Sequence, residues 1–352
     1  KKNWLIPIKP DAKYDIDDLL PAIREGLSGD GKLYASPFYG ESSMIMYRSD
    51  LVKKAGVTIE EAQKYAGEDS HELSMVFQFE HVGLDEVPGG GKWALKPLHL
   101  PDLKASLSRW QYGMEGSGWN SLYWDNHDQP RAVSRFGDDS PEHRVASAKA
   151  LGTILHLHRG TPYVYQGEEL GMTNKHFDSI DPINDVMTRN AYFEKTQRCG
   201  ESVADFMKAA NYISREHTRT PMHWDDTANA GFTTGTPWIP LNPNYPQINA
   251  AKQVGDPDSV YSFYRRLLAL RKSDKTFVYG HYALLLPDDE EIYAYTRTLN
   301  DEQILVVCNF TDHDVSCPLL NDWQNTELLI SNYNTPGNPG SLRPFEAVVY
   351  RK

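Results

Sequence analysis

Only three cysteines occur in 352 residues, Cys199, Cys308 and Cys317, an odd set with no C-x-x-C spacing. That excludes a disulfide framework or a thiolate zinc site, and it points to a reducing compartment, the cytoplasm. No apolar run approaches the roughly 20 residues that span a bilayer, so no membrane segment is expected. The chain opens on Lys1 rather than Met, and no basic stretch leads into an apolar one. Neither an initiator nor a signal peptide is expected, and the chain reads as beginning within a longer gene. Basic residues are outnumbered, with 36 Lys plus Arg against 48 Asp plus Glu, a net charge of −12. Such a surface is repelled by phosphate backbones and anionic membranes, so neither is expected as a partner. Also absent are a Gly-rich phosphate loop, H-E-x-x-H and G-x-S-x-G, the motifs of phosphoryl transfer, zinc proteolysis and serine hydrolysis. Aromatic residues, by contrast, are plentiful, with 20 Tyr and 8 Trp, and the hydrophobic share of 40% supports a large domain plus a smaller one.

Local patterning divides the chain in three. Residues 1–55 read as mixed structure, with a helix over 16–26, a turn at Gly29-Asp30-Gly31 and strand-like runs over 32–38 and 43–47. From Gly56 to residue 276 strands alternate with helices in the βα manner. The expected strands are Leu73–Phe79, read as buried, Asn120–Trp124 and Pro162–Tyr165. The expected helices cover 101–111, 142–158 and 260–271. From 277 onward, period-2 runs at 282–286, 292–298, 303–310, 327–331 and 347–351 predict an antiparallel β domain.

In βα architectures, functional side chains gather at the carboxyl ends of strands. His127 and Asp128 lie just past one such end, beside Trp119, Tyr123 and Trp124 and ahead of Arg131 and Arg135. Imidazole, carboxylate, guanidinium and aromatic rings on one rim suit a carbohydrate, by hydrogen bonds to hydroxyls and stacking on sugar faces. The same residues also read as an Asx-type turn with a solvated ion pair. His156-x-His158 is not expected to bind metal, because i and i+2 point apart on a helix. Glu168-Glu169 reads as a helix cap rather than a general acid, and Arg265-Arg266 to Arg271-Lys272 as a solvated helix face.

The stretch Tyr123-Trp124-Asp125-Asn126-His127-Asp128-Gln129-Pro130-Arg131-Ala132-Val133-Ser134-Arg135-Phe136-Gly137 closely resembles the α-amylase family of glycoside hydrolases, in the branch of oligo-1,6-glucosidases, dextran glucosidases and α-glucosidases. Phe77-Gln78-Phe79-Glu80-His81, Tyr165-Gln166-Gly167-Glu168-Glu169-Leu170-Gly171 and Arg219-Thr220-Pro221-Met222-His223-Trp224 extend the resemblance. It runs from about Gly56 to the C-terminus. Lys32-Leu33-Tyr34-Ala35-Ser36-Pro37-Phe38-Tyr39-Gly40 and Met46-Tyr47-Arg48-Ser49-Asp50-Leu51 instead resemble a fragment of an ABC-transporter sugar-binding protein, confined to residues 1–55.

The family resemblance implies an α/β fold, a partial (β/α)8 barrel holding strands six to eight, then a C-terminal antiparallel β-sandwich. It implies retaining hydrolysis of α-1,6 or α-1,4 bonds in short α-gluco-oligosaccharides, with no cofactor. By resemblance Asp128 is the transition-state-stabilising carboxylate, His127 a sugar-hydroxyl ligand, Arg215 the arginine gripping the terminal glucose, and Arg131 a residue on the leaving-group side. Departures accompany the matches. The family's nucleophilic Asp, in G-F-R-x-D, and its acid Glu have no counterpart in this sequence, so the chain alone is expected to be inactive. Glu216-His217 stands where Asp-Asn is usual, and Asn184 where Arg is common. A barrel needs eight strands in about 250 residues, and three are read here, so the chain is expected to be a composite of a sugar-binding-protein fragment and a glucosidase portion.

Overall fold

A computed structural model describes residues 28–29, 32–33, 59–67, 69–70, 73–335 and 337–352. The chain divides into two compact units, Lys1–Val57 and Thr58–Lys352. In the first, β1 (Ser28–Gly29) pairs antiparallel with β2 (Lys32–Leu33), Ser28 opposite Leu33. The helix expected over 16–26, the strand over 43–47 and most of the run over 32–38 lie outside the described residues.

The second unit begins with α1 (Ile59–Ala66), α2 (Leu100–Gly113), β3 (Ser121–Leu122), α3 (Ala132–Phe136), α4 (Arg144–His156) and β4 (Thr161–Pro162). Pro101 sits in the first turn of α2, where its missing N–H removes no helical bond, and Leu103, Leu107 and Trp110 line the buried face. β3 and β4 pair in parallel, Ser121 opposite Thr161. Residues 73–79 depart from the expected buried strand. Only Val76 bridges to Asn120, and Leu73, Phe77 and Phe79 are exposed. The apolar run is there, but among the described residues a strand lies along one of its edges only, so its second face stays uncovered.

Then come α5 (Val186–Tyr192), α6 (Val203–Ile213), α7 (Glu216–Arg219), α8 (Ala250–Gln253), α9 (Val260–Ser273) and α10 (Lys275–Tyr279). Ser202 and Ser259 cap α6 and α9 through their hydroxyls. The solvated basic face expected on α9 is corrected at one position. Arg265, Arg266 and Lys272 are exposed, but Arg271 continues the Val260, Phe263, Tyr264, Leu267 stripe and is buried. Its guanidinium reaches the carbonyls of His156 and His158 at 2.9 and 2.6 Å.

Seven strands close the chain: β5 (His281–Leu285), β6 (Ile292–Leu299), β7 (Glu302–Asn309), β8 (Val315–Ser316), β9 (Glu327–Ser331), β10 (Ser341–Leu342) and β11 (Ala347–Arg351). Five form an antiparallel sheet in the order β5-β6-β7-β11-β9, while β8 and β10 make a separate ribbon. Alternation puts Tyr293, Tyr295, Ile304, Val306 and Val349 against α4 and α9. The opposite set, Ile292, Ala294, Leu305, Val307 and Val348, packs on Val315, Cys317, Leu320, Trp323 and Leu342. Both faces of the sheet are therefore dry. Lys104 of α2 is fully buried and its ammonium donates to the carbonyls of Leu286 and Ile292 at 2.6 and 3.0 Å. It thereby pins the β5–β6 turn, where Leu286 holds a left-handed φ of 49°.

Candidate active site

Past β3 the chain runs through Tyr123 and Trp124 into a turn. The Asn126 side-chain Oδ1 accepts from the Asp128 N–H at 2.8 Å, and the Asn126 carbonyl accepts from the Gln129 N–H at 3.1 Å. This is an Asx turn, and it presents the Asp128 carboxylate, which is 46% exposed. Arg215 Nη1 and Arg219 Nη2 donate to its Oδ1 at 2.7 and 2.8 Å, and His127 Nε2 lies 3.4 Å from its Oδ2. The turn reading and the polar-rim reading thus describe one arrangement.

Two further elements complete it. Arg215 and Arg219 stand four residues apart at the two ends of α7, hence on one face. Asp185, buried, caps α5 by accepting the Thr188 N–H on Oδ2 at 2.9 Å, and its Oδ1 accepts from Arg215 Nε at 2.7 Å. One guanidinium therefore bridges two carboxylates from different segments. Burial acts most strongly on both acids and would raise their pKa values, but hydrogen bonds and neighbouring charges prevail. Both are held below the usual range, Asp128 by Arg215 with His127 and Arg219, and Asp185 by the hydrogen bonds of Thr188 and then by Arg215. For Arg215, burial is outweighed by Asp185 and Asp128, and its pKa is raised. The site is charged at neutral pH.

Asp128, His127 and Arg215 are brought together, whereas Arg131 lies elsewhere. It is buried, and its guanidinium donates to the carbonyls of Gln166 at 2.6 Å and His217 at 3.2 Å. A Cβ on Gly167, where φ is 94°, would come within 2.7 Å of its Nη1, so the glycine makes room for the brace. Arg131 thus ties strand-end loops together and offers no free donor to the rim. Sequence reasoning missed Arg219, Asp185 and Lys92. The R-x-x-x-R spacing could have revealed the first and the D-x-x-T capping pattern the second. Lys92 donates to the Asp128 carbonyl at 3.4 Å, and burial, then the charges of Arg135 and Arg215, push its pKa down to about 8. The two motifs set aside earlier lie inward of the rim. His156 Nε2 is 3.1 Å from Glu168 Oε1, His158 stacks on Tyr295 at 4.6 Å, and Glu169 accepts the Gly167 N–H at 2.8 Å. Among the described residues, no group of three or more His, Cys, Asp or Glu is placed to hold a metal ion.

Three residues before Asp128, Asp125 is buried. Its Oδ2 accepts from the Ala132 N–H at 3.0 Å while Oδ1 has no partner among the described residues. Burial, then the neighbouring Glu168 charge, raise its pKa well above the usual value, and Arg131 offsets this only in part. A carboxyl raised on folding favours the folded state at low pH, and this is lost as pH rises from about 4 toward the folded value. At pH 7, well above the unfolded value, the charge penalty is felt. Asp125→Asn keeps the acceptor for Ala132 and removes the charge, so it is expected to raise stability at pH 7 by about 1 kcal/mol, with a smaller gain at pH 4. Equal stability of the two proteins at pH 7, by chemical denaturation, would contradict this.

Residues 50–280 match the family described as alpha amylase, catalytic domain, and residues 282–346 match the maltogenic amylase C-terminal domain. The chain belongs to the α-amylase family. Its relatives include the oligo-1,6-glucosidase of Halalkalibacterium halodurans, 54% identical over 302 residues that make up 84% of this chain and 53% of that enzyme. The oligo-1,6-glucosidase of Bacillus cereus is 49% identical, over 84% of this chain and 54% of its own. Among solved structures, isomaltulose synthase from Klebsiella sp. LX3 superposes with a TM-score of 0.80 at 38% identity, covering 84% of this chain and 54% of the synthase. The chain thus spans about half the length of the relatives it matches. Its α-amylase fold is the expected one, part of a (β/α)8 barrel followed by an antiparallel β-sandwich. Residues 1–69 match the bacterial extracellular solute-binding protein family, in line with the second resemblance. Among the described residues, no helix is long and apolar enough to cross a membrane.

Proposed function

We propose that this chain carries the glucose-gripping part of a retaining α-glucosidase site for short α-1,6- or α-1,4-linked gluco-oligosaccharides, working in the cytoplasm. The observation that carries the reading is the Asp128 carboxylate, kept anionic and half exposed at a strand end by Arg215 and Arg219. In retaining hydrolysis one carboxylate attacks the anomeric carbon and another protonates the leaving oxygen, through an oxocarbenium-like transition state. Asp128 stabilises that distorted, positively charged sugar, His127 binds an adjacent hydroxyl, and Arg215 grips the terminal glucose. Arg131 is a positioning residue that acts through the loops it ties. Our division of labour runs 1–55, 56–276 and 277–352, with the sugar site in the middle segment. The attacking and protonating carboxylates are not among the residues we assign, so the chain alone binds the sugar without turning it over.

Calorimetric titration with isomaltose and release of p-nitrophenol from p-nitrophenyl α-glucoside test this together. The expected result is heat on titration, affinity reduced about tenfold or more by Asp128→Asn through loss of charge-assisted hydrogen bonds, and no p-nitrophenol. Turnover abolished by Asp128→Asn would overturn the assignment of the missing carboxylates, and absence of heat would overturn sugar binding. The match of residues 1–69 to solute-binding proteins favours a second reading, a non-catalytic carbohydrate-binding or fusion product. Heat unchanged by Asp128→Asn is its signature.

A further inference from the structure

The loop between α7 and α8 lifts one large apolar side chain into water. Among the described residues Trp238 is the most exposed large hydrophobic, at 78%, and its indole makes neither a hydrogen bond nor a ring contact. The next residue, Ile239, is buried, so the chain is anchored where the ring leaves it. The loop is also braced from within. The N–H groups of Trp224 and Asp225 both donate to the Ala230 carbonyl, at 2.9 and 3.2 Å, across a turn in which Asn229, Ala230 and Gly231 hold left-handed φ values of 57, 57 and 64°. Glycine adopts that region freely, but Ala230 does so at a cost that persists only where the surroundings enforce it. From this turn the Asn229 amide donates to the carbonyls of Thr233 and Gly235 at 3.1 and 2.8 Å, and Pro237 fixes the backbone just ahead of Trp238.

The same loop is fastened to the charged rim. Asn184 Nδ2 donates to the Trp238 carbonyl at 2.7 Å, and the Asn184 N–H donates to the buried Glu216 Oε1 at 2.8 Å. Asn184 precedes Asp185 and Glu216 follows Arg215, the two residues whose bond leads to Asp128. Arg215 thus fixes the rim while its neighbour Glu216 fixes the seat of Trp238. We propose that Trp238 is a sugar-stacking platform outside the gripped terminal glucose, taking a glucosyl unit further along an α-gluco-oligosaccharide and so setting a preference for longer chains. An indole face suits the C–H face of a pyranose and leaves the sugar hydroxyls in water. A ring on a loop braced on both sides loses little freedom when the sugar docks. The inference rests on the sugar-binding reading above and extends it.

The test is calorimetric titration of the full chain with isomaltose and maltose against isomaltotetraose and maltotetraose. At least one tetrasaccharide is expected to bind about tenfold more tightly than its disaccharide. Trp238→Ala is expected to erase that gain, Trp238→Tyr to keep most of it, and Phe193→Ala, at another exposed aromatic position, to leave it intact. The platform is overturned if affinity does not rise with chain length in either series, or if the rise survives Trp238→Ala. Tetrasaccharide heat that Trp238→Ala removes and Asp128→Asn leaves unchanged upholds the platform and removes the reading of the rim. Isomaltose heat that Asp128→Asn removes, with no gain for a tetrasaccharide, does the reverse. Heat from none of the sugars overturns both.

Discussion

Asp85→Ala is expected to lower the melting temperature of this chain by about 10 °C, the largest effect of any single substitution considered. Asp85 and Arg135 are each only about 1% exposed, and they meet through two bonds, Arg135 Nε to Oδ2 at 2.8 Å and Nη2 to Oδ1 at 2.7 Å. Arg135 also donates to the Val82 carbonyl at 2.6 Å and to Gln129 Oε1 at 2.7 Å, which ties the turn that carries Asp128 to the loop before α2. Removing one partner of a buried pair costs about 3–5 kcal/mol because the other charge stays behind without compensation. For a domain of this size each kcal/mol is worth roughly 2–4 °C. Arg135→Met/Asp85→Leu, which removes both charges and keeps the volume, should recover most of the loss. Calorimetry decides the matter, and a single variant within about 2 °C of the parent would show that the pair contributes little.

Acidification is the second large effect. His81, His217 and His223 are buried, and burial, the leading cause for all three, pushes their pKa values down to about 3, 4 and 4. Each is neutral when folded and takes a proton near 6.5 when unfolded, so the unfolded chain binds more protons as pH drops. Their contribution is complete above pH 6.5, is lost as pH falls below it, and levels off near the folded values. Between pH 6.5 and 5 each histidine accounts for about 2 kcal/mol. Asp125, Glu169 and Glu216, raised mainly by burial, oppose this and take back part of the loss. Urea unfolding at pH 7 and 5 should therefore differ by several kcal/mol, and His223→Asn should make the dependence shallower by one histidine's share. Equal stability at the two pH values would refute the account.

The β domain was readable in the sequence because β6, β7 and β11 are Val-, Ile- and Tyr-rich runs set off by turn residues, and such runs form strands in nearly any packed setting. α2 and α9 were readable for the parallel reason, an apolar stripe at helical spacing behind a Pro or Ser start. The strip over 73–79 misled because an apolar run reports what a segment is able to bury, not whether a neighbour arrives to cover it. Arg271 misled because a buried arginine looks like a solvated one until the carbonyls that receive it are located. At the rim, Asp128 and His127 were legible as a motif, and Arg215 through family resemblance. The bond from Arg219 to Asp128 spans 91 residues, and that from Arg215 to Asp185 spans 30. Local spacing marks Arg219 and Asp185 as residues but does not encode which groups they meet. Arg131 was placed on the rim because its motif lies there, yet its side chain turns inward to loops separated from it by 35 and 86 residues.

Lys104 holding the β5–β6 turn has a counterpart in Arg297 of β6, whose guanidinium donates to the carbonyls of Leu157 and Phe277 at 2.8 and 2.7 Å. The sandwich and the helices behind it are thus cross-wired by cations from both sides, each seated among chain ends that belong to the other. A protein engineer trading C-terminal domains between relatives would therefore do badly to cut at the apparent border near residue 280. The exchangeable part includes α2, the end of α4 and α10, because Lys104 needs the β5–β6 turn to place its carbonyls, and the carbonyls of Leu157 and Phe277 need the guanidinium of Arg297.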